Sequence, residues 1–335
     1  MGLVGWTAVF LVTAAVVTGA GIRLARAGDE IAERANLSRL FVGMVLMALA
    51  TSLPEIVTDV SAALAGTPDL AVGDLFGSSM ANMAILAVVD LIHRHRVWPS
   101  VEIGHARVAS VAIALTALAV LAVLTPTGLA IGWVGLDTVG VAAAYVAAVA
   151  WVRRSPSGRF AQGTLLPVPT GWTRPSRAEL RPSVVRFALA TLVVLLAAPF
   201  LARSGAQLAE LTGLGQTFVG TAFLAAATSL PELVASVAAA RIGAHDLAVG
   251  NLFGSNAFNM AALVLVDAGY TDGPMLAAVD PSQAVAGAGA ILLMALALAA
   301  LVHGLETRVR RLEPDAVLLL LAYAGALYAI WEVRP

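Results

Sequence analysis

Long apolar runs separated by short polar stretches dominate the chain. A transmembrane helix needs about 20 mostly apolar residues, and ten runs come close to or exceed that length: residues 3–22, 38–65, 69–92, 107–125, 130–152, 183–203, 214–240, 246–269, 281–303 and 315–333. Lipid cannot satisfy backbone polar groups, so each run is predicted to be helical. The pattern therefore predicts an all-α integral membrane protein with ten transmembrane helices.

A proline-rich polar stretch divides these runs into two sets of five. It covers residues 153–182 and separates a first half, residues 1–152, from a second half, residues 183–335. All 20 basic residues are arginine. Of these, 18 lie in or beside the loops that follow the first, third, fifth, seventh and ninth runs; the two exceptions are Arg203 and Arg334. Positive residues accumulate in cytoplasmic loops. We therefore expect a multi-pass protein of the plasma (inner) membrane, with both termini outside and the 153–182 linker in the cytoplasm.

Composition narrows the function classes. The chain is 59% hydrophobic and 12% charged, with no cysteine, whereas soluble domains carry roughly 25% charged residues. This excludes a soluble enzyme, a disordered chain and a nucleic-acid binder, and it leaves the lipid bilayer as the expected partner. A membrane enzyme is also disfavoured, because the Ser/Glu clusters lack a histidine base and the chain has no lysine.

The two halves contain an internal repeat. Residues 41–83 align without gaps with residues 218–260, at an offset of 177, with 26 identities in 43 positions. Because each half has an odd number of spans, the second copy enters the membrane from the opposite side. Two inverted-topology five-helix repeats are typical of alternating-access secondary transporters.

Two glutamates lie near the middle of long apolar runs. Glu55 and Glu232 each end the string TSLPE, and an ionisable group at this depth costs at least a few kcal/mol. No arginine lies in the core of either run. Pro54 and Pro231 each remove one backbone hydrogen bond and free a carbonyl nearby. A buried metal cation or protons are therefore expected to balance the carboxylates.

The run after each glutamate carries a polar stripe on one helix face, with side chains four residues apart. Its members are Asp74, Ser78 and Asn82 in the first repeat and Asn251, Ser255 and Asn259 in the second. Oxygen-only ligands suit hard cations such as Ca²⁺ and Na⁺. Zinc and copper are disfavoured because no histidine lies among these candidate ligands. The five histidines lie at loops or span ends, where we expect them to be solvated or interfacial.

The TSLPE strings and the GDLFGSS and GNLFGSN strings that follow them resemble the repeats of the cation/Ca²⁺ exchanger superfamily, closest to its prokaryotic sodium/calcium exchanger branch. The resemblance implies an antiporter with four clustered cation sites between the second, third, seventh and eighth spans. It implies bound Ca²⁺ and Na⁺ (or H⁺) as transported ions, no cofactor, and sliding of the first and sixth helices. Carried over by position, the ligands are Ala48, Thr51, Ser52, Glu55, Ser78, Asn82, Ala225, Thr228, Ser229, Glu232, Ser255 and Asn259.

The sequence departs from the family pattern at several positions. Asn259 stands where some members have Asp, and Asp74 stands where Asn is usual. Asp59, one turn after Glu55, is matched by Ser236 in the second repeat. Asp74 and Asp59, with Asn251, are therefore candidates for an additional proton or cation site. Exchange of H⁺ for Ca²⁺, or of another divalent cation, stays open as the alternative; a cation channel is less favoured because no filter-like ring is visible.

Overall fold

The helices account for nearly all of the chain that the computed structural model describes, which is residues 2–92, 104–154, 177–211, 228–303 and 314–333. The first half contains α1 (Leu3–Ala35), α2 (Arg39–Leu64), α3 (Pro68–Ile92), α4 (His105–Leu124) and α5 (Leu136–Arg154). The second half contains α6 (Arg177–Leu211), α7 (Leu230–Arg241), α8 (His245–Gly269), α9 (Gln283–His303) and α10 (Pro314–Val333). A short helix, Met275–Ala278, precedes α9.

Eight of these helices are long and apolar enough to cross a membrane, counting only described residues. The other two are α5, whose apolar part is the shorter Leu136–Val152, and α7. The predicted run 214–240 begins outside the described residues, and α7 is its second part. The all-α membrane architecture expected from the apolar runs is confirmed.

The fifth predicted run starts too early. Residues 130–135 form an antiparallel two-stranded ribbon, β1 (Ala130–Ile131) and β2 (Val134–Gly135), and the helix begins only at Leu136. Gly128 and Gly132 have φ of +67°, a conformation that glycine adopts without strain and that breaks a helix. Apolar composition alone could not reveal this turn. The 153–182 linker lies largely outside the described residues, but α6 already begins within it at Arg177.

The centre of the molecule is built from α2, α3 and α8, whose spans are mostly buried, whereas α1, α6 and α10 are mostly exposed on the outside. Helix α8 packs against α2, α3, α4, α5 and α7, and α1 runs along α6. Helix α2 is not uniform: residues Val42–Met47 form a π-helical turn before the regular segment Ala48–Leu64. Such turns occur frequently at functional sites.

Helices α2 and α8 cross with their backbones in contact. A Cβ at Gly254 would lie 2.5 Å from both Cα and O of Met44, and a Cβ at Gly43 would lie 2.6 Å from the Leu247 carbonyl oxygen. Small residues allow this approach between membrane helices. The crossing therefore brings the polar residues of α2 and α8 together in the protein centre.

Candidate cation-binding site

The two glutamates contribute to one buried centre from opposite halves of the chain. Glu55 is 2% exposed and Glu232 is fully buried. The Ser52 hydroxyl donates to Oε1 of Glu232 at 3.3 Å, and the Ser229 hydroxyl lies 3.5 Å from Oε1 of Glu55. Ser52 and Ser229 are equivalent residues in the two repeats, so the two cross-repeat contacts are related by the internal symmetry.

A third serine, Ser78, contacts groups from both repeats. The Ser78 hydroxyl donates to Oε1 of Glu55 in a short contact, and its oxygen lies 3.3 Å from the Ser229 hydroxyl oxygen. Its repeat equivalent, Ser255, is buried but its hydroxyl oxygen has no hydrogen-bond partner. The same residue type therefore meets different surroundings in the two repeats.

Several buried oxygen atoms in this centre have no hydrogen-bond partner among the residues that the structure describes. They are Oε2 of Glu55, Oε2 of Glu232, Oδ1 of Asn82, Oδ1 of Asn259 and the hydroxyl oxygen of Ser255. Across the described ranges, neither glutamate forms an ion pair with an arginine or histidine. Burying such groups without partners is costly. An oxygen-lined, anionic centre of this kind fits a hard cation such as Ca²⁺ or Na⁺.

The N-terminal part of α2 supplies neutral oxygen atoms beside the glutamates. The Thr51 hydroxyl oxygen lies 3.1 Å from the Met47 carbonyl, 3.4 Å from the Ala48 carbonyl and 3.3 Å from Oδ1 of Asn251 on α8. Ala48 begins the regular helix directly after the π-helical turn. In the second repeat, Thr228 and Ser229 are buried just before α7. Ala225 lies outside the described residues.

The three candidates for an additional site, together with Ser236, form two pairs at equivalent positions of the two repeats. In the second repeat, Nδ2 of Asn251 donates to the Ser236 hydroxyl at 3.1 Å, and both residues are fully buried. In the first repeat, the matching side chains are those of Asp59 and Asp74, whose carboxyl groups lie close enough to interact with each other. An ionised carboxylate only accepts hydrogen bonds. The acid pair therefore needs a shared proton or a bound cation at a position where the second repeat is neutral.

A comparison with known sequences places the chain in a family. The profile described as "Sodium/calcium exchanger protein" matches residues 5–152 and 182–332. The chain belongs to this family. It is 28% identical to CaxA of Alkalimonas amylolytica over 318 residues, covering 92% of this chain and 93% of the relative. It is 40% identical to the sodium/calcium exchanger MaX1 of Methanosarcina acetivorans over 72 residues, which is 22% of this chain and 21% of that protein.

The fold is shared with a solved member of the family. The structure of the sodium-calcium exchanger NCX_Mj superimposes with a TM-score of 0.74 at 19% identity, covering 99% of this chain and 100% of that one. At this identity the likeness concerns the fold, and it supports the two-repeat membrane architecture. The protein is thus a multi-pass membrane member of a transporter family.

Asn256 orients a predicted ligand of the cation centre, and it was not predicted from the sequence. Oδ1 of Asn256 accepts from Nδ2 of Asn82 at 2.8 Å, while Nδ2 of Asn256 donates to the Ser79 carbonyl at 3.1 Å. These bonds join α3 to α8 and leave Oδ1 of Asn82 without a partner. The sequence did contain a signal for Asn256, because it is an amide side chain in the middle of an apolar run. It aligns with Ser79 in the first repeat.

The expectation that all histidines are solvated or interfacial is wrong for His105. This side chain is fully buried, and its Nε2 lies 3.0 Å from Oδ1 of Asp246. The contact joins the first turn of α4 to the first turn of α8. His105 lies at a span end in the sequence, but the packing of α4 against α8 covers it.

Proposed function

We propose that the protein is a secondary active antiporter that exchanges Ca²⁺ for Na⁺ across the membrane by alternating access. The observation that carries this proposal is the Glu55–Glu232 centre, in which buried carboxylate oxygens from the two repeats have no basic partner within the described ranges of the chain. Two carboxylates supply the charge that balances one Ca²⁺. Family membership supports the same substrate class.

The charge of this centre explains why transport would be an exchange. With no cation bound, two buried carboxylates lose hydration without compensation, which costs several kcal/mol per ion. Na⁺ or Ca²⁺ neutralises the pair and lowers that cost. Only a loaded site can then close and reopen on the opposite side, so inward movement of one ion requires outward movement of the other.

The remaining predicted ligands surround the glutamates in a way that suits cation coordination. Ser52, Ser78 and Ser229 contact the carboxylates directly, and Asn82 and Asn259 present unpartnered oxygen atoms. We propose that these groups, with the Ala48 and Thr51 oxygens, Thr228, Ser255 and Ala225, form clustered sites for the exchanged ions. No further cofactor enters this scheme.

Alternating access would involve two of the outer helices, α1 and α6. Helices α1 and α6 pack along each other at the periphery of the core. They can therefore slide without disturbing the contacts among α2, α3 and α8. From the arginine distribution, we further propose that both termini face the outside and that the central linker faces the cytoplasm of a bacterial-type plasma membrane.

The experiment is Ca²⁺ uptake into proteoliposomes driven by an outward Na⁺ gradient. Glu55→Gln and Glu232→Gln each remove one buried charge, and we expect each to reduce uptake to less than a tenth of the wild-type rate. The matched control is Glu33→Gln, which makes the same chemical change at a side chain that is 69% exposed. Wild-type exchange in either buried variant would refute the assignment.

Exchange of H⁺ for Ca²⁺ is the second candidate, and the pair formed by buried Asp59 and half-buried Asp74 specifically favours it. The two functions are separated by imposing the gradients one at a time. Uptake with a Na⁺ gradient at equal pH supports sodium coupling. Uptake with a pH gradient in Na⁺-free buffer supports proton coupling. Single-channel currents without counter-ion dependence would contradict both.

A further inference from the structure

A groove lies between α1, α3 and α7, and none of the residues of the cation centre lines it. Its volume is about 410 Å³. Thr18, Ile22 and Arg26 line it from α1, and Leu233, Val237 and Arg241 line it from α7. Most of the remaining lining is aliphatic. Apart from two arginines and one threonine, the groove offers an apolar surface at membrane depth.

The two arginines lie at the same end of the groove. Residues four apart share one face of a helix, so Thr18, Ile22 and Arg26 form one ladder along α1. Leu233, Val237 and Arg241 form the matching ladder along α7. Arg241 is the last residue of α7, and Ile92, the last residue of α3, also lines the groove. On each helix, an aliphatic side chain is therefore followed, one turn later, by a guanidinium group at the same end of the groove.

The dimensions match one leaflet of a bilayer. Eight residues of helix separate Thr18 from Arg26, which corresponds to about 12 Å of rise. Half of the hydrocarbon core of a membrane is roughly 15 Å thick. The arginines would therefore lie near the headgroup level, with the apolar ladder beside the acyl chains.

The positive charges of Arg26 and Arg241 are available to bind a ligand. In the described part of the chain, neither Arg26 nor Arg241 forms an ion pair, whereas Arg39 and Arg186 contact acidic side chains. The planar guanidinium group suits phosphate oxygens. Basic pockets between membrane helices on the cytoplasmic side recognise anionic lipid headgroups.

We infer that this groove binds one anionic phospholipid, with its phosphate between Arg26 and Arg241 and an acyl chain along Ile22 and Val237. The apolar ladder distinguishes this ligand from a soluble anion, because inorganic phosphate would use only the two arginines. The exposed side chains of Ile92 (54%) and Ile242 (42%) at the same end extend the apolar surface around the headgroup. The inference does not depend on which ions the cation centre exchanges.

The test is native mass spectrometry of the full chain in detergent, titrated with phosphatidylglycerol or with phosphatidylcholine of the same acyl chains. Wild-type protein should retain one phosphatidylglycerol in preference to phosphatidylcholine. Each basic residue near a lipid surface contributes about fivefold in affinity. Arg26→Gln combined with Arg241→Gln should therefore weaken phosphatidylglycerol binding by about 25-fold.

The matched control is Arg23→Gln combined with Arg107→Gln. These arginines are predicted to be on the same membrane side, and neither lines the groove. Their loss should weaken phosphatidylglycerol binding far less than the loss of Arg26 and Arg241, because neither side chain lines the groove that would hold the headgroup. Val237→Phe fills the apolar part and keeps both arginines, so it should also weaken binding. Its unfolding temperature is compared with that of Leu196→Phe at an exposed position.

Three results would overturn the proposal. The first is unchanged phosphatidylglycerol binding in the Arg26/Arg241 double variant. The second is an equal loss in the Arg23/Arg107 control. The third is displacement of the lipid by inorganic phosphate alone, which would assign the arginines to a soluble anion. Because none of these measurements involves transport, failure here leaves the Ca²⁺ uptake result for the glutamate variants untouched.

Discussion

Replacing Gly254 with alanine tests the contact between α2 and α8 that assembles the cation centre. The added Cβ would lie 2.5 Å from both Cα and O of Met44, whereas favourable contacts between carbon atoms are about 3.5–4.0 Å apart. The two helices would have to separate by roughly 1 Å to relieve this overlap. Overpacking typically costs about 1–3 kcal/mol. We expect the upper end, because the contacted atoms are backbone and cannot rotate away.

The internal repeat provides the matched control. Gly77 is the equivalent of Gly254, and a Cβ at Gly77 would have no heavy atom of the described residues within 4 Å. Alanine is also favoured over glycine in a helix by about 1 kcal/mol. Gly77→Ala should therefore be neutral or stabilising, while Gly254→Ala should destabilise the protein. The predicted signs differ although the residue and the sequence motif are the same.

Transport should also be impaired by Gly254→Ala and not by Gly77→Ala. Thr51 on α2 and Asn251 on α8 are in contact at 3.3 Å, and a separation of roughly 1 Å exceeds the range of a hydrogen bond. Thermal unfolding in detergent and Ca²⁺ uptake in proteoliposomes measure the two effects. Gly254→Ala should unfold several degrees below wild type and transport more slowly. If it unfolds at the wild-type temperature, or if both alanine variants lose stability equally, the close-crossing interpretation is wrong.

Two further predictions concern the acid pair and the orientation. Asp59→Ser combined with Asp74→Asn gives the first repeat the neutral pair that the second already accommodates, so the fold should be retained. If the acid pair carries a transported proton, Ca²⁺ uptake driven by a pH gradient should fall while Na⁺-driven uptake continues; unchanged pH-driven uptake would contradict that role. Because the chain has no cysteine, Thr127→Cys and Asn36→Cys report topology directly. An impermeant maleimide should label position 127 in intact cells and position 36 only after permeabilisation, and the reverse pattern would invert the proposed orientation.

The positions of the helices follow from the sequence because the bilayer imposes a length and an apolar surface on each span. The α3 run was expected at 69–92 and the helix spans Pro68–Ile92; α8 was expected at 246–269 and spans His245–Gly269. The predicted start of the fifth helix was wrong because glycines that turn the chain at positive φ lie inside an apolar stretch. The π-helical turn Val42–Met47 has no comparable composition signal.

The choice of Glu55 and Glu232 as central residues was likewise available from the sequence, since a carboxyl group within an apolar run requires a specific partner. Their actual hydrogen-bond partners were not. Each accepts a contact from a serine of the opposite repeat, 180 residues away for Ser52 and Glu232 and 174 away for Ser229 and Glu55. Such long-range pairs depend on how the two halves dock.

The amino-acid sequence by itself determined the membrane class, the repeat and the residue types of the centre, because hydropathy and charge act locally along the chain. Only the tertiary structure decided how equivalent residues differ. Considering the described residues, a Cβ at Gly77 would meet no neighbour while Gly254 lies against Met44, and Ser78 binds Glu55 while the Ser255 hydroxyl has no partner. Two copies of one pattern acquire different surroundings when they pack against each other, because each contact depends on the relative position of both halves.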